Sequence, residues 1–145
     1  MKFFDVQSTQ IATSADQAYG YIANPAHLPL WTNAFAAIEF EGNTRTGSNL
    51  SGKAQLQTPS GAVPIELEVR ASRESRTIDW IMTFPDQSVA TAFSRVIELT
   101  SDQCVYSFVL TPPPVPLEAL EGALEQQSGI LLEELKKLKG ILEND

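Results

Sequence analysis

The sequence predicts an α+β fold in which an antiparallel sheet of about six or seven strands packs its concave face against a long C-terminal helix. Three patterns predict it. Short alternating segments bounded by turn residues fill the middle of the chain, a leucine stripe at helical spacing follows them, and a further helical pattern comes directly after the first strand. Because short connections favour antiparallel neighbours, the middle segments form a meander, and its concave face is the surface that buries the leucine stripe.

Length and charge limit the classes of function. The chain has 145 residues, enough for one domain with a real core, so residues 1–145 are expected to form a single unit. The net charge is -8 and the pI is near 4.6, so the negatively charged protein repels phosphate backbones and anionic lipid surfaces. We therefore expect a small molecule as the partner rather than nucleic acid, and a homodimer is left open.

Cysteine and histidine usage argues against metal and redox chemistry. Cys104 and His27 are single residues of their kinds, so neither a disulfide nor a cysteine- or histidine-based metal centre is expected, and no cofactor is implied. The N-terminus meets Asp5 before a signal-length apolar run develops, and no stretch approaches the roughly 18 apolar residues of a membrane span. The expected location is cytoplasmic, without integral membrane association.

The first part of the chain reads as a strand and two short helices. Phe3 to Thr13 alternates like a strand, and Ser14 can cap the helix that follows. The dipeptide Asn24-Pro25 ends that helix, because a residue before proline disfavours helical backbone. The segment PAHLPLWTNAF then predicts a second short helix, bent by Pro29.

Six strands and the long helix complete the order. Alternation begins at Ala36 in AAIEFEG, and EGNTRTGSN reads as a loop or turn. The remaining strands are predicted at Leu50 to Thr58, Val63 to Ala71, Thr77 to Phe84, Val89 to Leu99 and Cys104 to Thr111. After the prolines of 112–116, a helix is predicted from Leu117 to Leu142, with its leucines on one side.

This order resembles that of the START-like (SRPBCC, Bet v 1-like) superfamily, in particular its polyketide cyclase/dehydrase and lipid-transport branch. The resemblance covers essentially the whole chain and rests on the helix break in YIANPAHLPLW, the C-terminal leucines, and Ala18, Tyr19, Ile22, Trp31 and Gly47. It implies a helix-grip fold, in which a curved antiparallel sheet wraps around the C-terminal helix and encloses an internal pocket for a small apolar or amphipathic molecule. The superfamily hosts many functions, so the resemblance implies where the site lies and not its chemistry.

Strand parity predicts which side chains face the interior. It selects Ile78, Trp80, Met82 and Phe84 on one strand, Cys104, Tyr106, Phe108 and Leu110 on the last, and Val63, Ile65, Leu67 and Val69 on a third. In ATAFSRVIEL the larger set is Phe93, Ile97 and Leu99, which places Arg95 on the inner face. A buried guanidinium needs an acid, carbonyls or a ligand anion; alternatively it reaches the rim, or a bulge flips the parity.

A second mismatch lies in the final helix, where Gln127 and Ser128 interrupt the leucine stripe on its buried side. They either offer an amide and a hydroxyl to a ligand, or flank the stripe and bond to backbone or water. The full set of candidate ligand-binding residues is Trp31, Phe35, Trp80, Phe84, Phe93, Arg95, Tyr106, Phe108, Leu124, Gln127 and Ser128. Each aromatic member also fits plain core packing, and Tyr106 is the best polar candidate because a buried hydroxyl needs a partner.

Three functions remain open. The first is binding of a hydrophobic or amphipathic molecule, such as a lipid, quinone or polyketide-like compound, between the sheet and the C-terminal helix. The second is a cofactor-independent cyclase or dehydratase that uses the same cavity, with Arg95, Tyr106 or His27 polarising carbonyls or moving protons. The third is a protein-partner or chaperone-activator-like module. Cys104 lacks an activating partner in the sequence and reads as an inert buried thiol.

Overall fold

The computed structural model describes residues 3–40, 49–58, 61–111 and 115–144. The strands are β1 (Asp5–Ile11), β2 (Phe35–Phe40), β3 (Asn49–Thr58), β4 (Gly61–Ser72), β5 (Thr77–Thr83), β6 (Val89–Thr100) and β7 (Gln103–Leu110). The helices are α1 (Ala15–Ile22), a 3₁₀ turn (Pro25–His27), α2 (Leu28–Trp31) and α3 (Leu117–Glu143). The predicted loop at 41–48, with Gly47, and the prolines at 112–114 lie outside the described residues.

All seven strands form one antiparallel sheet in the order β1-β7-β6-β5-β4-β3-β2. β2 to β7 form the predicted meander, and β1 pairs with β7 in a register that sets Asp5 opposite Leu110 and Ile11 opposite Cys104. The edge strands are therefore β1 and β2. A bulge between Ala36 and Glu39 interrupts the pairing of β2 with β3.

Local sequence explains where the short helices begin and end. The Ser14 hydroxyl accepts a hydrogen bond from Gln17 N at 3.2 Å and caps α1, as predicted. Asn24 caps the 3₁₀ turn by accepting from Ala26 N at 3.0 Å. α2 ends at Trp31, several residues before the end of the predicted segment, because Thr32 turns to extended backbone.

The C-terminal half of α3 closes one end of the sheet. Leu131, Leu135, Leu138 and Leu142 belong to the hydrophobic core that the sheet and α1 share. Two hydrogen bonds tie this half of the helix to β1 and the residue after it: Lys139 Nζ donates to Gln10 O at 2.7 Å, and Glu143 Oε2 accepts from Ala12 N at 2.8 Å. The helix is thereby anchored at its C-terminal end.

The structure of β6 contradicts the prediction, made from strand parity, that Arg95 lies on the inner face. Ala92, Ser94 and Val96 face the interior, whereas Phe93, Ile97 and Leu99 are exposed, and Arg95 lies among them on the convex face. The reason is side-chain size. Strands two apart are separated by roughly 10 Å, and the rings of Trp80 on β5 and Phe108 on β7 stack at 5.5 Å across β6, so β6 must present small residues beneath them.

Among the described residues, no helix has the length and apolar character needed to cross a membrane. The same residues contain no group of three or more histidine, cysteine or acidic side chains placed to hold a metal ion.

Candidate functional site

Four aromatic rings meet at the centre of the concave face. Trp31 comes from α2, Trp80 from β5, and Tyr106 and Phe108 from β7. The Trp31 ring lies 6.5 Å from that of Trp80 and 6.4 Å from that of Tyr106, and Tyr106 meets Phe108 edge to face at 6.2 Å. All four side chains are buried, and this aromatic cluster lies between α2 and the middle of the sheet.

Two polar atoms inside the aromatic cluster have no hydrogen-bond partner among the described residues, the indole Nε1 of Trp31 and the hydroxyl of Tyr106. Ser94, whose own hydroxyl donates to Ile78 O at 2.7 Å, lies near enough to the phenol to offset part of the effect of burial on Tyr106, but it is not in hydrogen-bonding geometry with the Tyr106 hydroxyl. Burial raises the pKa of Tyr106 far above its ordinary value, so the phenol stays protonated. Unpaired buried polar groups are rare and each calls for an explanation.

The concave face is less well covered at the end where the β3–β4 and β5–β6 hairpins turn. Apolar side chains that point inward there are only half buried, and they are Phe35, Leu56, Val63, Met82, Phe84 and Leu110. We call this set the open end. α3 begins at the same end, and its Leu120 and Leu124 are buried without belonging to the main core.

The structure gathers part of the predicted site. Trp31, Trp80, Tyr106 and Phe108 meet in the aromatic cluster, Phe35 and Phe84 lie at the open end, and Leu124 is buried on α3. Phe93 and Arg95 lie on the opposite face, for the reason given above.

Gln127 is a further candidate residue that does not face the interior. It is exposed, while Ser128 is half buried. Each helical residue turns by about 100°, so these two neighbours lie on opposite flanks of the leucine stripe rather than at its centre. Their place on the flanks fits the alternative in which they border the stripe.

The groups considered for catalysis are not brought together. The His27 ring stacks on Tyr21 with ring centres 4.1 Å apart, and its Nδ1 lies 2.8 Å from Tyr21 O, in the turn between α1 and α2. Arg95 is on the convex face, so of these groups Tyr106 alone lies in the interior. Cys104 is fully buried, and burial raises the pKa of its thiol, which keeps it in the unreactive protonated form.

A cleft of about 500 Å³ between α2 and α3 was not predicted from the sequence. It opens to solvent beside Trp31, and α3 supplies most of its wall, including Ile130 and Glu134. One feature of the sequence could have indicated the cleft. Ile130, next to Gly129, is a large apolar residue of α3 that does not belong to the leucine stripe. The helical pattern identifies a buried stripe and does not show what a flanking face adjoins.

No protein-family model matches the sequence, and no curated protein is significantly similar to it. Solved structures nevertheless share the fold. A START superfamily protein from Mycobacterium smegmatis is 14% identical, with 99% of each chain covered and a TM-score of 0.74. The Zhui aromatase/cyclase from Streptomyces sp. R1128 is 12% identical, with a TM-score of 0.71. The alignment covers 97% of this chain and 93% of the cyclase chain.

A third similar structure is Ara h 8.0201, which is 12% identical, with 98% of each chain covered and a TM-score of 0.62. At these identities the similarity shows the fold alone. The chain has the helix-grip fold of the START-like superfamily, as predicted: a curved antiparallel sheet, two short helices after β1 and a long C-terminal helix.

Proposed function

We propose that the protein binds a hydrophobic or amphipathic small molecule between the concave face of the sheet and the N-terminal half of α3. The observation that carries the proposal is the pair of unpaired buried polar atoms, Trp31 Nε1 and the Tyr106 hydroxyl, inside an apolar aromatic cluster. A ligand oxygen that accepts from either donor would satisfy it, and sparse polar groups in an apolar surround are typical of small-molecule sites.

The open end supports the same proposal. Half-buried apolar side chains such as Met82 and Phe84 lose their remaining water contact when an apolar molecule covers them, which favours binding. A cyclase has less support, because Arg95 and His27 lie away from the interior and the protonated Tyr106 can polarise a carbonyl but cannot act as a base.

Intrinsic fluorescence tests binding directly, because both tryptophans of the chain lie in the aromatic cluster. Long-chain alcohols, quinones and aromatic ketones would be titrated while Trp emission and the melting temperature are recorded. We expect at least one class to change the emission in a saturable way and to raise the melting temperature, since a ligand of the folded state stabilises it. No saturable response from any class would refute the proposal.

Tyr106→Phe should have opposite effects on stability and binding. Removing a buried hydroxyl that has no partner should stabilise the free protein by about 1–3 kcal/mol, and should weaken a ligand that bonds to this hydroxyl by about tenfold. The measurements are urea unfolding and fluorescence titration. Tyr19→Phe on α1 is the matched control and should leave ligand affinity unchanged. A destabilised Tyr106→Phe protein would show that the hydroxyl is already satisfied in the free protein.

A further inference from the structure

The convex face of the sheet carries a row of exposed apolar side chains on β6. Side chains alternate across a strand, so every second residue of β6 points away from the core. Four of these outward residues are large and apolar, and each has between 43% and 54% of its surface exposed: Val89, Phe93, Ile97 and Leu99. Since β6 lies between β5 and β7, the row crosses the middle of the convex face rather than following an edge.

Uncharged side chains on the neighbouring strands extend this row into a broader surface. Val109 on β7 pairs with Phe93, and Val6 on β1 pairs with Val109. The outward residues of β1, β5, β6 and β7, which we call the convex patch, include only two charged ones, Asp79 and Arg95. Charged side chains return on the next strand, β4, whose outward residues include Glu66, Glu68 and Arg70. A core that is poor in charge, with a charged border, is typical of a protein–protein interface.

The charges of the convex patch favour a second copy of this chain as its partner. The chain carries 18 acidic residues and a net charge of -8, so most of its surface repels another copy. The convex patch differs, because it holds one acid and one base. Arg95 has no ion pair among the described residues, although Asp79 lies diagonally across from it on β5. The convex patch therefore presents a cation and an acid to a partner that carries the same two groups.

The outward residues of β6 complement their own reverse order, which is Val89, Thr91, Phe93, Arg95, Ile97 and Leu99 read backwards. When two copies stack with β6 antiparallel and a two-fold axis between Phe93 and Arg95, each Arg95 lies over the Phe93 ring of the other copy. Asp79 pairs with Phe93 in the sheet, so it lies about 4.8 Å to the side of that ring. Stacked sheets are about 10 Å apart, a gap that an arginine side chain spans to reach this carboxylate. Toward the two ends of the strand, apolar side chains meet apolar side chains.

We propose that the protein forms a two-fold symmetric dimer in which the convex patches of two copies stack with their β6 strands antiparallel. Four strands about 4.8 Å apart and a row about 30 Å long give about 600 Å² per copy, or about 1,200 Å² in all, which is the lower end for specific interfaces. The dimer is therefore weak and reversible, with a Kd of about 10–100 µM. The proposal does not rest on the proposed function, because the ligand site lies on the opposite, concave face.

Sedimentation equilibrium tests the proposal on the unmodified protein. Between about 5 and about 500 µM, the mass should rise from the 15.9 kDa of one chain toward twice that value and then stop, since a two-fold contact uses up the patch on both copies. A mass that stays at 15.9 kDa throughout would overturn the proposal. Assemblies that keep growing beyond two chains would also contradict it.

Ile97→Glu tests which surface is used. The interface would bury the new carboxylate among apolar side chains without a partner, so this variant should stay monomeric over the same range of concentration. Leu30→Glu is the matched control, because Leu30 is 52% exposed on α2, away from the convex patch, and the substitution changes the net charge equally. It should dimerise like the unmodified protein. Equal effects of the two variants would contradict the proposal, and melting temperatures check that both remain folded.

A double-mutant cycle tests the antiparallel arrangement. Arg95→Gln and Asp79→Asn should each raise the Kd of the dimer by about tenfold, because each removes one partner of both ion pairs between the copies. The double variant should dimerise no more weakly than the weaker of the two single variants, since the second substitution has no ion pair left to break. A double variant whose loss equals the product of the single losses would show that the two groups do not meet, and would refute this arrangement.

Discussion

Ala92 and Ser94 show how a single residue is constrained by rings on neighbouring strands. Ala92 pairs with Trp80 on one side and with Leu110 on the other, and Ser94 pairs with Phe108. The stacked rings of Trp80 and Phe108 lie over these positions. A close-packed interior leaves no room for a larger side chain under that stack.

Ala92→Leu should therefore destabilise the protein by about 1–3 kcal/mol, because overpacking forces the rings out of their positions. Urea unfolding measures the loss. Arg95→Leu on the same strand is the matched control. Arg95 is exposed and has no ion pair among the described residues, so its substitution should change stability by less than about 0.5 kcal/mol. Similar losses in both variants would contradict the assigned faces of β6.

The same residues explain what the sequence could predict at this scale. Alternation gave the correct inner faces for β4, β5 and β7, where the larger apolar set is the buried one. It failed on β6, where Phe93 and Ile97 are larger than Ala92 and Ser94 but exposed. Hydropathy alone does not report the volume that side chains from two strands away already occupy.

At the scale of elements, α3 has two halves with different roles. The C-terminal half packs in the main core and is hydrogen-bonded to Gln10 and Ala12 near the end of β1. The N-terminal half lies at the open end, where Leu117 is 59% exposed. The fold therefore depends on the C-terminal half, and the N-terminal half can adjust to a ligand at lower cost.

Leu138→Ala should cost about 2–5 kcal/mol of folding free energy, because it leaves a cavity at a fully buried position. Leu117→Ala makes the same change at the exposed start of the helix and should cost less than about 0.5 kcal/mol. Chemical denaturation of both proteins gives the comparison. Equal costs would mean that the two halves of α3 contribute alike to the core.

The leucine period predicted α3 well, because a stripe of this length occurs only where one helix face is buried. The strands were also predicted close to their observed bounds, since turn residues separate them. The second short helix was predicted, but its end at Trp31 was not, and neither was the cleft between α2 and α3. A single helical turn such as Leu28–Trp31 carries too few residues to show a period, and the position of α2 against α3 depends on contacts distant in sequence.

At the scale of the whole molecule, buried and exposed carboxyls respond to pH in opposite directions. Burial raises the pKa of Glu134 and of Asp79 above their ordinary values. The pKa of Glu143 is lowered by its hydrogen bonds with Lys139 and Ala12 N, and that of Asp86 by its bonds with Ser88. Glu134 and Asp79 therefore stabilise the folded state when they are protonated, whereas Glu143 and Asp86 stabilise it when they are ionised.

The folded protein should be more stable at about pH 5.5 than at about pH 7.5. The folded state holds the Glu134 proton more tightly than the unfolded chain does, so stability falls as the pH rises from the unfolded value of 4.5 through the raised pKa. Urea midpoints at constant ionic strength measure the difference.

Glu134→Gln should make this pH dependence smaller, whereas Glu118→Gln, an exposed residue of the same helix, should preserve it. The repulsion that accompanies the net charge of -8 also falls at lower pH, but it changes in nearly the same way in both variants. A Glu134→Gln protein as pH-dependent as its control would show that another group carries the effect.

The bulge in β2 and the bonds that fasten α3 near the end of β1 also govern how copies of the molecule can meet. Adding a strand from another chain requires a straight border of free amide and carbonyl groups. On β2 the irregular pairing between Ala36 and Glu39 bends that border, and the Gln10 carbonyl of β1 is already taken by Lys139. Addition of a strand at these two places is thereby disfavoured.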